Sequence, residues 1–451
     1  MAVKNRSQNR EAFWFGARKD WKLRLSMRQS AFVAVTVADL RTHALILGST
    51  GSGKTTGLLH LIAQAIGQRV TFIVLDYRGT FADAAFQLAC LRIPAEKIAL
   101  IDLREKLPLT GFNPLAGAGE AYFRALSLID AVAEESESWG VQLAEYMRYA
   151  FLLLAETAQP ITNLDRVFFD AEYRSGLIAK SSDEKMCEFW QRYDTLSNEK
   201  QQALASPVLN KVSLLFATDG LRKLFSHPNP IDLAKHLNTR GTALIISLAG
   251  DELSGAGRMV GNILLNAIRR EIFARVPIPE TKRNLVHFFV DEFENFDSTV
   301  FEHFLAEARK FGLSLILAHQ ALVQIQPKFR SLVLGGVGVK IFFRTGREDS
   351  VILSKSLTSD GKAIDFNNLP VGEAYVWKHG REHEHVLVNA PLLKPSLVRT
   401  LAACVVKDKM RQKARGVFPS DKVDSSPSST AKDPKATRQK QTKPASLEEW
   451  L

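Results

Sequence analysis

The sequence predicts an α/β fold: a central, mostly parallel sheet flanked by helices, with an inserted all-α domain and a disordered C-terminal tail. Three observations predict it. Short β-branched apolar runs alternate with helical stretches from Arg41 to Gly119 and again from Thr239, the pattern of a parallel sheet with crossover helices. From Glu120 to Asn238 the periodicity is helical throughout, and beyond Val405 apolar residues become scarce. The expected organisation is an N-terminal segment over residues 1–40 and an α/β core over 41–119 and 239–400. The helical insertion takes 120–238 and the tail 405–451.

The first core strand is His43 to Leu47, a short buried-type run. Gly48-Ser49-Thr50-Gly51-Ser52-Gly53-Lys54-Thr55 follows and fills the G-x-x-x-x-G-K-[ST] template of a phosphate-binding loop. Glycines let successive backbone N–H groups turn inward around phosphates, Lys54 reaches the β and γ phosphates, and the Thr55 hydroxyl is offered to Mg²⁺. Thr56 belongs to the same cradle and opens the helix that runs to Gln68, with Leu58, Leu59, Leu61, Ile62 and Ile66 on its apolar side. Strand, glycine loop and helix in this order make ATP with Mg²⁺ the expected ligands.

Val70 to Leu75 is the next strand, ending at Asp76-Tyr77-Arg78-Gly79. A helix from Thr80 to Leu91 leads to a strand at Ile98 to Asp102, closed by Gly111-Phe112-Asn113-Pro114-Leu115. Asp76 and Asp102 fall at carboxyl ends of strands, where parallel sheets hold their ligands. In the insertion, Leu143, Tyr146, Met147, Ala150, Phe151 and Leu154 share one helical face, and Pro160, Pro207 and Pro228 punctuate the helices.

The core resumes with a strand at Thr242 to Leu248 and a helix from Met259 to Ala274. Leu285 to Glu292 is an apolar strand ending in Asp291-Glu292, the acidic pair a nucleotide hydrolase needs opposite its phosphate loop. Asp291 would hold Mg²⁺ through water and Glu292 would polarise the attacking water. After one helix, the strand Leu313 to Ala318 ends at His319-Gln320. Gln320 is placed to contact the γ-phosphate or position water, and His319 reads as structural. Arg309 and Lys310 precede that strand, and Arg344 ends the next one at Ile341-Phe342-Phe343-Arg344. Arg309 or Arg344 is the candidate to reach a neighbouring subunit's γ-phosphate.

Composition sets further bounds. The chain has 451 residues, 46% of them hydrophobic, and a formal charge of +11 that favours an anionic partner, nucleic acid above all. Residues 405–451 carry eleven lysines and arginines against six acids, so the tail holds a large part of that charge. Cys90, Cys187 and Cys404 are scattered, which indicates neither a disulfide framework nor a zinc site. No apolar run is long enough to cross a membrane, and a cytoplasmic location is expected. The final Ser446-Leu447-Glu448-Glu449-Trp450-Leu451 turns apolar and acidic again, and reads as an ordinary frayed terminus or as a short helix that docks on a partner.

The ordered set Gly48 to Thr55, Asp76-Tyr77-Arg78-Gly79, Phe112-Asn113-Pro114-Leu115, Val290-Asp291-Glu292-Phe293 and Arg309-Lys310-Phe311-Gly312 leading to His319-Gln320 resembles the HerA/FtsK branch of P-loop ATPases. Within it the chain is most similar to the TraD/TraG type IV coupling proteins of conjugative DNA transfer. Leu369-Pro370-Val371-Gly372-Glu373-Ala374-Tyr375-Val376 looks like their closing hairpin, and the likeness covers Arg41 to Pro395.

This resemblance implies RecA-like P-loop domains in a homo-oligomeric ring, a hexamer, that hydrolyse ATP between subunits and drive DNA through a central channel. It assigns Lys54 and Thr55 to the phosphate and metal site, Asp291 and Glu292 to the acidic pair, Gln320 to the sensor and Arg309 to the trans finger. It implies a relaxase or secretion-system components as partners, with peripheral attachment to the inner membrane through them.

The chain departs from the relatives in three respects. Membrane-anchored coupling proteins carry membrane-spanning helices ahead of the phosphate loop, whereas only 47 residues precede Gly48 here. Phe13 to Asp39 is too short for the β-barrel domain of HerA motors, and Tyr77 stands where many relatives have Pro. Two other activities share the motif set: a HerA-like motor in DNA end processing or anti-phage defence, and a nucleotide-gated DNA–protein adaptor with little turnover.

Overall fold

The structure, a computed structural model, describes residues 12–18, 32–134, 139–296, 298–357, 364–378, 383–388 and 397–418. The N-terminal part runs β1 (Ala12–Arg18), β2 (Phe32–Thr36), β3 (Ala44–Leu47), α1 (Lys54–Gly67), β4 (Thr71–Asp76), α2 (Thr80–Cys90) and β5 (Ile98–Asp102). Helices α3 (Ala121–Glu134), α4 (Val141–Glu156), α5 (Leu164–Phe169), α6 (Ala171–Ile178), α7 (Glu184–Asp194), α8 (Asn198–Val212), α9 (Asp219–Phe225) and α10 (Leu233–Asn238) follow, with no strand between them among the described residues. The chain then continues through β6 (Ala243–Ser247), α11 (Gly250–Phe273), β7 (Val286–Asp291), α12 (Ser298–Glu307), β8 (Leu313–His319), α13 (Pro327–Gly336) and β9 (Val339–Phe342). It closes with α14 (Arg347–Leu357), β10 (Glu373–Lys378), β11 (Glu384–Leu387) and α15 (Leu397–Val417).

The described strands form one sheet in the order β2-β1-β11-β10-β9-β3-β8-β7-β4-β6-β5. From β9 to β5 every pairing is parallel, and from β9 to β2 every pairing is antiparallel. Parallel strands covered on both faces must be apolar throughout. Strands β3 to β8 are accordingly buried at every residue.

Alternate residues serve two cores. Leu45, Leu47, Ile73 and Leu75 face the helices of residues 121–238 together with α11 and α12, whereas Ala44, Ile46, Phe72 and Val74 face α1 and α2. This order puts β8 between the strand feeding the phosphate loop and the strand ending in the acidic pair. The three carboxyl ends that carry Gly48, Gln320 and Asp291 are therefore neighbours.

Three features differ from the sequence reading. The segment before residue 41 contributes β1 and β2, which extend the antiparallel edge by pairing β1 to both β2 and β11. The helix expected from Met259 begins at Gly250 and bends at Ser254, whose φ of 33° is non-helical. The expectation of a disordered tail from Val405 is corrected, because α15 is helical through Val417.

The continuation has a physical cause. Ala403, Val406 and Met410 pack on the α1/α2 face. Lys407 lies 3.2 Å from Asp102 Oδ2 and 2.9 Å from Glu105 Oε1, and Arg411 lies 2.7 Å from Glu105 Oε1. The Lys and Arg that read as solvated tail are ion partners of the β5 end. Residues 419–451, including the final apolar and acidic stretch, lie outside the described residues.

Candidate nucleotide site

The loop from Gly48 to Gly53 is shaped by its own backbone and by its neighbours. Gly48 N–H donates to the His319 carbonyl at 3.2 Å, and both the N–H and the hydroxyl of Ser49 donate to the Arg344 carbonyl, at 2.7 and 3.0 Å. Gly53 has φ 111° and caps α1 without a side chain, so the first N–H groups of that helix keep no side-chain acceptor. A Cβ on Gly53 would come within 3.2 Å of Gly372 Cα and 3.3 Å of Phe343 Cε1. The β10 end buttresses the loop from outside, with Gly372 N–H donating to the Ser52 carbonyl at 2.9 Å.

The functional side chains converge on this loop. Lys54 Nζ donates to Asp291 Oδ1 at 3.0 Å, and both side chains are buried. Glu292 N–H donates to the Ala318 carbonyl at 3.1 Å and its backbone is left-handed at φ 53°, so the strand turns sharply at this residue. Gln320 Nε2 donates to Glu292 Oε1 at 2.9 Å, and the Thr50 hydroxyl donates to Gln320 Oε1 at 3.1 Å. The loop and the ends of β7 and β8 are thus linked by side-chain hydrogen bonds across separations of 237, 28 and 270 residues.

The electrostatics follow from burial. Burial pushes the Glu292 carboxyl above the usual glutamate range, Arg78 pulls it back, and Asp291 and Glu294 add to the rise. Asp76 is also raised, first by burial, against hydrogen bonds from the Ala82 and Gly79 N–H groups. It accepts from Arg78 N–H at 3.0 Å and from Ala82 N–H at 2.9 Å, and so ties down the turn into α2.

An uncapped helix start, a glycine loop and a lysine beside a buried carboxylate fit a nucleoside triphosphate with its magnesium. Lys54 suits the phosphates. Thr55, exposed on the first turn of α1, and the Asp291 carboxylate are hard oxygen donors of the kind Mg²⁺ takes.

The two arginines singled out from sequence separate in space. The Arg344 carbonyl belongs to the wall of the phosphate loop itself. Arg309 is exposed in the turn Ala308–Phe311 at the amino end of β8, opposite the end that carries Gln320. A seven-residue strand spans roughly 20 Å, so Arg309 is remote from the site of its own chain.

His319 is fully buried with Nδ1 2.7 Å from Glu294 Oε2, as a structural histidine would be. Sequence reasoning passed over Arg78, whose Nε lies 3.0 Å from Glu292 Oε2. Its position after a strand end was the available signal, but the partner lies more than two hundred residues away. Tyr77 also has a local reason. Its ring covers Gly250, where a Cβ would fall 2.3 Å from ring carbons, and it meets Phe296 edge-on at 6.2 Å.

Comparison with known proteins gives a consistent answer. The family described as type IV secretion-system coupling protein DNA-binding domain matches residues 28–345. The type 4 coupling protein DotL of Legionella pneumophila is 24% identical over 404 residues, a match covering 75% of this chain and 50% of DotL. The chain therefore spans about half the length of that curated relative.

Among solved structures, the bacterial conjugative coupling protein TrwBdeltaN70 is similar with a TM-score of 0.58 at 17% identity, covering 86% of this chain and 95% of that one. TrwB in complex with ADP and Mg²⁺ is similar with a TM-score of 0.55 at 16% identity, covering 84% and 94%. These likenesses establish a shared fold, and the family match spans the Gly48–Thr55 loop, the acidic pair and β8. The chain belongs to the type IV secretion-system coupling protein family.

Proposed function

We propose that the chain is an ATP-hydrolysing motor that moves DNA in a conjugative or type IV transfer system, working between subunits of a ring. The observation that carries the reading is the linked set Lys54–Asp291 and Thr50–Gln320–Glu292, which joins a phosphate loop to an acidic pair through a polar sensor. A phosphate-binding switch without turnover has no need of a buried glutamate next to its metal-binding aspartate.

In this reading Lys54 and the N–H groups of residues 50, 51 and 53–56 hold the triphosphate, with Gly48, Ser49 and Ser52 shaping the loop through their own backbone bonds, while Thr55 and Asp291 hold the magnesium. Bound Mg²⁺ neutralises phosphate charge. Glu292 orients and polarises the attacking water, and its raised proton affinity suits that task. Gln320 touches both Glu292 and the loop residue Thr50, so a change at the loop is transmitted to the β8 end.

Arg309 serves the site of a neighbouring copy, since it is exposed and far from its own. This is the structural argument for a homo-oligomeric ring, taken here as a hexamer. Arg344 starts from the loop wall of its own chain, which favours a role in cis. DNA as the cargo is supported by the family's DNA-binding description and by the charge of +11. Relaxase and secretion-system components are the proposed partners, at the cytoplasmic face of the membrane. Among the described residues no helix is long and apolar enough to cross a membrane.

The test is ATP hydrolysis by the purified chain with and without DNA, paired with displacement of streptavidin from biotinylated DNA. DNA-stimulated turnover with displacement, both abolished by Lys54→Ala, is expected. Turnover indifferent to DNA, with no displacement, would overturn the motor reading in favour of an adaptor.

A further inference from the structure

Glu292 presents two carboxylate oxygens, and each holds a donor. Gln320 Nε2 is 2.9 Å from Oε1, and Arg78 Nε is 3.0 Å from Oε2. An ionised carboxylate has about four acceptor sites, so a water O–H still finds room, but the Arg78 cation on Oε2 competes with that water for the carboxylate's charge. Lifting Arg78 away would leave that charge to the water.

The two donors are not equivalent. Gln320 is tied at its other end to Thr50 of the phosphate loop. Arg78 has its backbone fixed and its head half in solvent: its N–H is held by Asp76 Oδ1, the next residue Gly79 sits at φ 103°, and 56% of its side chain is exposed. A half-exposed ion pair is weak, and a guanidinium prefers the fork geometry of a phosphate to a single carboxylate oxygen.

We infer that Arg78 is a latch on Glu292, opened by a phosphate oxyanion that draws the guanidinium away and frees Oε2 for water. The latch rests on the hydrolytic reading of the site given above and adds its regulation. The oxyanion has two sources, a phosphate of the DNA backbone or the γ-phosphate of the nucleotide, and the same experiment separates them. With the latch closed, the chain conserves ATP. With it open, Glu292 keeps only the Gln320 contact that reads the phosphate loop.

Steady-state hydrolysis is measured for the full chain, Arg78→Ala, Arg78→Lys and Glu292→Gln, over a range of ATP, without DNA and with a single-stranded or duplex oligonucleotide. Arg78→Ala is expected to raise the DNA-free kcat roughly two- to fivefold, the range a weak ion pair allows. Arg78→Lys, which keeps charge without the fork, is expected to lie between Arg78→Ala and the parent, and it remains informative if the alanine variant folds poorly.

A raised basal rate with DNA stimulation falling toward unity assigns the DNA backbone as the source. A raised basal rate with stimulation intact and a higher KM for ATP assigns the γ-phosphate. An Arg78→Ala basal rate equal to or below the parent's overturns the latch. If the parent hydrolyses ATP, Glu292→Gln does not, and Arg78→Ala matches the parent in every arm, the latch fails alone. If the parent hydrolyses no ATP in any arm, the hydrolytic reading fails and the latch with it.

Discussion

Replacing Glu292 by glutamine separates chemistry from architecture at this site. Glutamine keeps the volume and the left-handed backbone position at φ 53° as well as glutamate does, and its carbonyl oxygen can still accept from Gln320. What is lost is charge. The Arg78 pair is half exposed on the arginine side, so its removal costs about 0.2–1 kcal/mol. The cost of burying the carboxylate, which shows as its raised proton affinity, is relieved at the same time.

The two terms oppose each other, and the folded state should change by less than about 1 kcal/mol, a melting shift of no more than about 2 °C for a chain of this size. The loss of a general base costs on the order of 10²–10⁴ in rate. ATP turnover at saturating nucleotide and a thermal melt on the same preparation are the assay, with nucleotide affinity followed in parallel. Expected is a rate at least a hundredfold down, with binding and melting near the parent's. Turnover above a tenth of the parent's would refute the assignment of Glu292 to water, and a melt lowered by 10 °C would show that the residue is architectural.

The remaining predictions concern other parts of the molecule. Because Glu292 must be charged to act and burial raises its proton affinity, kcat/KM should fall with decreasing pH at a midpoint above the ordinary glutamate range, and a limb at or below that range would count against it. Lys54→Ala chains mixed with Arg309→Ala chains should recover part of the lost turnover at mixed interfaces, whereas mixing with Arg344→Ala should not, since Arg344 begins in the loop wall of its own chain. Gly53→Ala should lose roughly 1–3 kcal/mol of stability and most nucleotide affinity, read by a melt and by titration calorimetry, because φ 111° and the approach of Gly372 both reject a Cβ. For the α15 contact, burial opposes ionisation of Asp102, but hydrogen bonds and charge from Arg104 and the charge of Lys407 hold its carboxyl below the usual range. That contribution is present above the unfolded pKa and lost as pH falls through the folded one, so amide exchange of residues 397–417 should quicken below the carboxylate range, and Asp102→Asn should quicken it at neutral pH.

Much of the core could be read from the chain because buried parallel strands are uninterrupted apolar runs. Residues that break such a run at its carboxyl end, Gly48, Asp291 and Gln320, stand out against it. Their place at carboxyl ends of parallel strands also followed, whereas the order that makes them neighbours, β8 between β3 and β7, is seen in the structure alone. Other features depend on partners distant in sequence. The pairing of Arg78 with Glu292 joins two turns whose proximity only the strand order creates. Lys407 and Arg411 read as solvated charge because their acids, Asp102 and Glu105, lie some 300 residues earlier. The strands at Ala12–Arg18 and Phe32–Thr36 were obscured because an edge ribbon borrows its register from its neighbour, here Leu387 and Val386 on β11.

That borrowed register makes the order of synthesis matter. Ala17 pairs with Leu387, so the start of the chain waits for about 370 residues to be made before its second neighbour exists. At typical synthesis rates this is roughly 20–70 s. The Gly372 N–H that braces the phosphate loop emerges with the same late hairpin, and Val388 N–H fastens Gly372 in turn. The parallel strands gain their partners between β6 and β9, but the loop from Gly48 to Gly53 is braced only when β10 and β11 close. On the proposed reading, competence for nucleotide is a late event in the life of each copy.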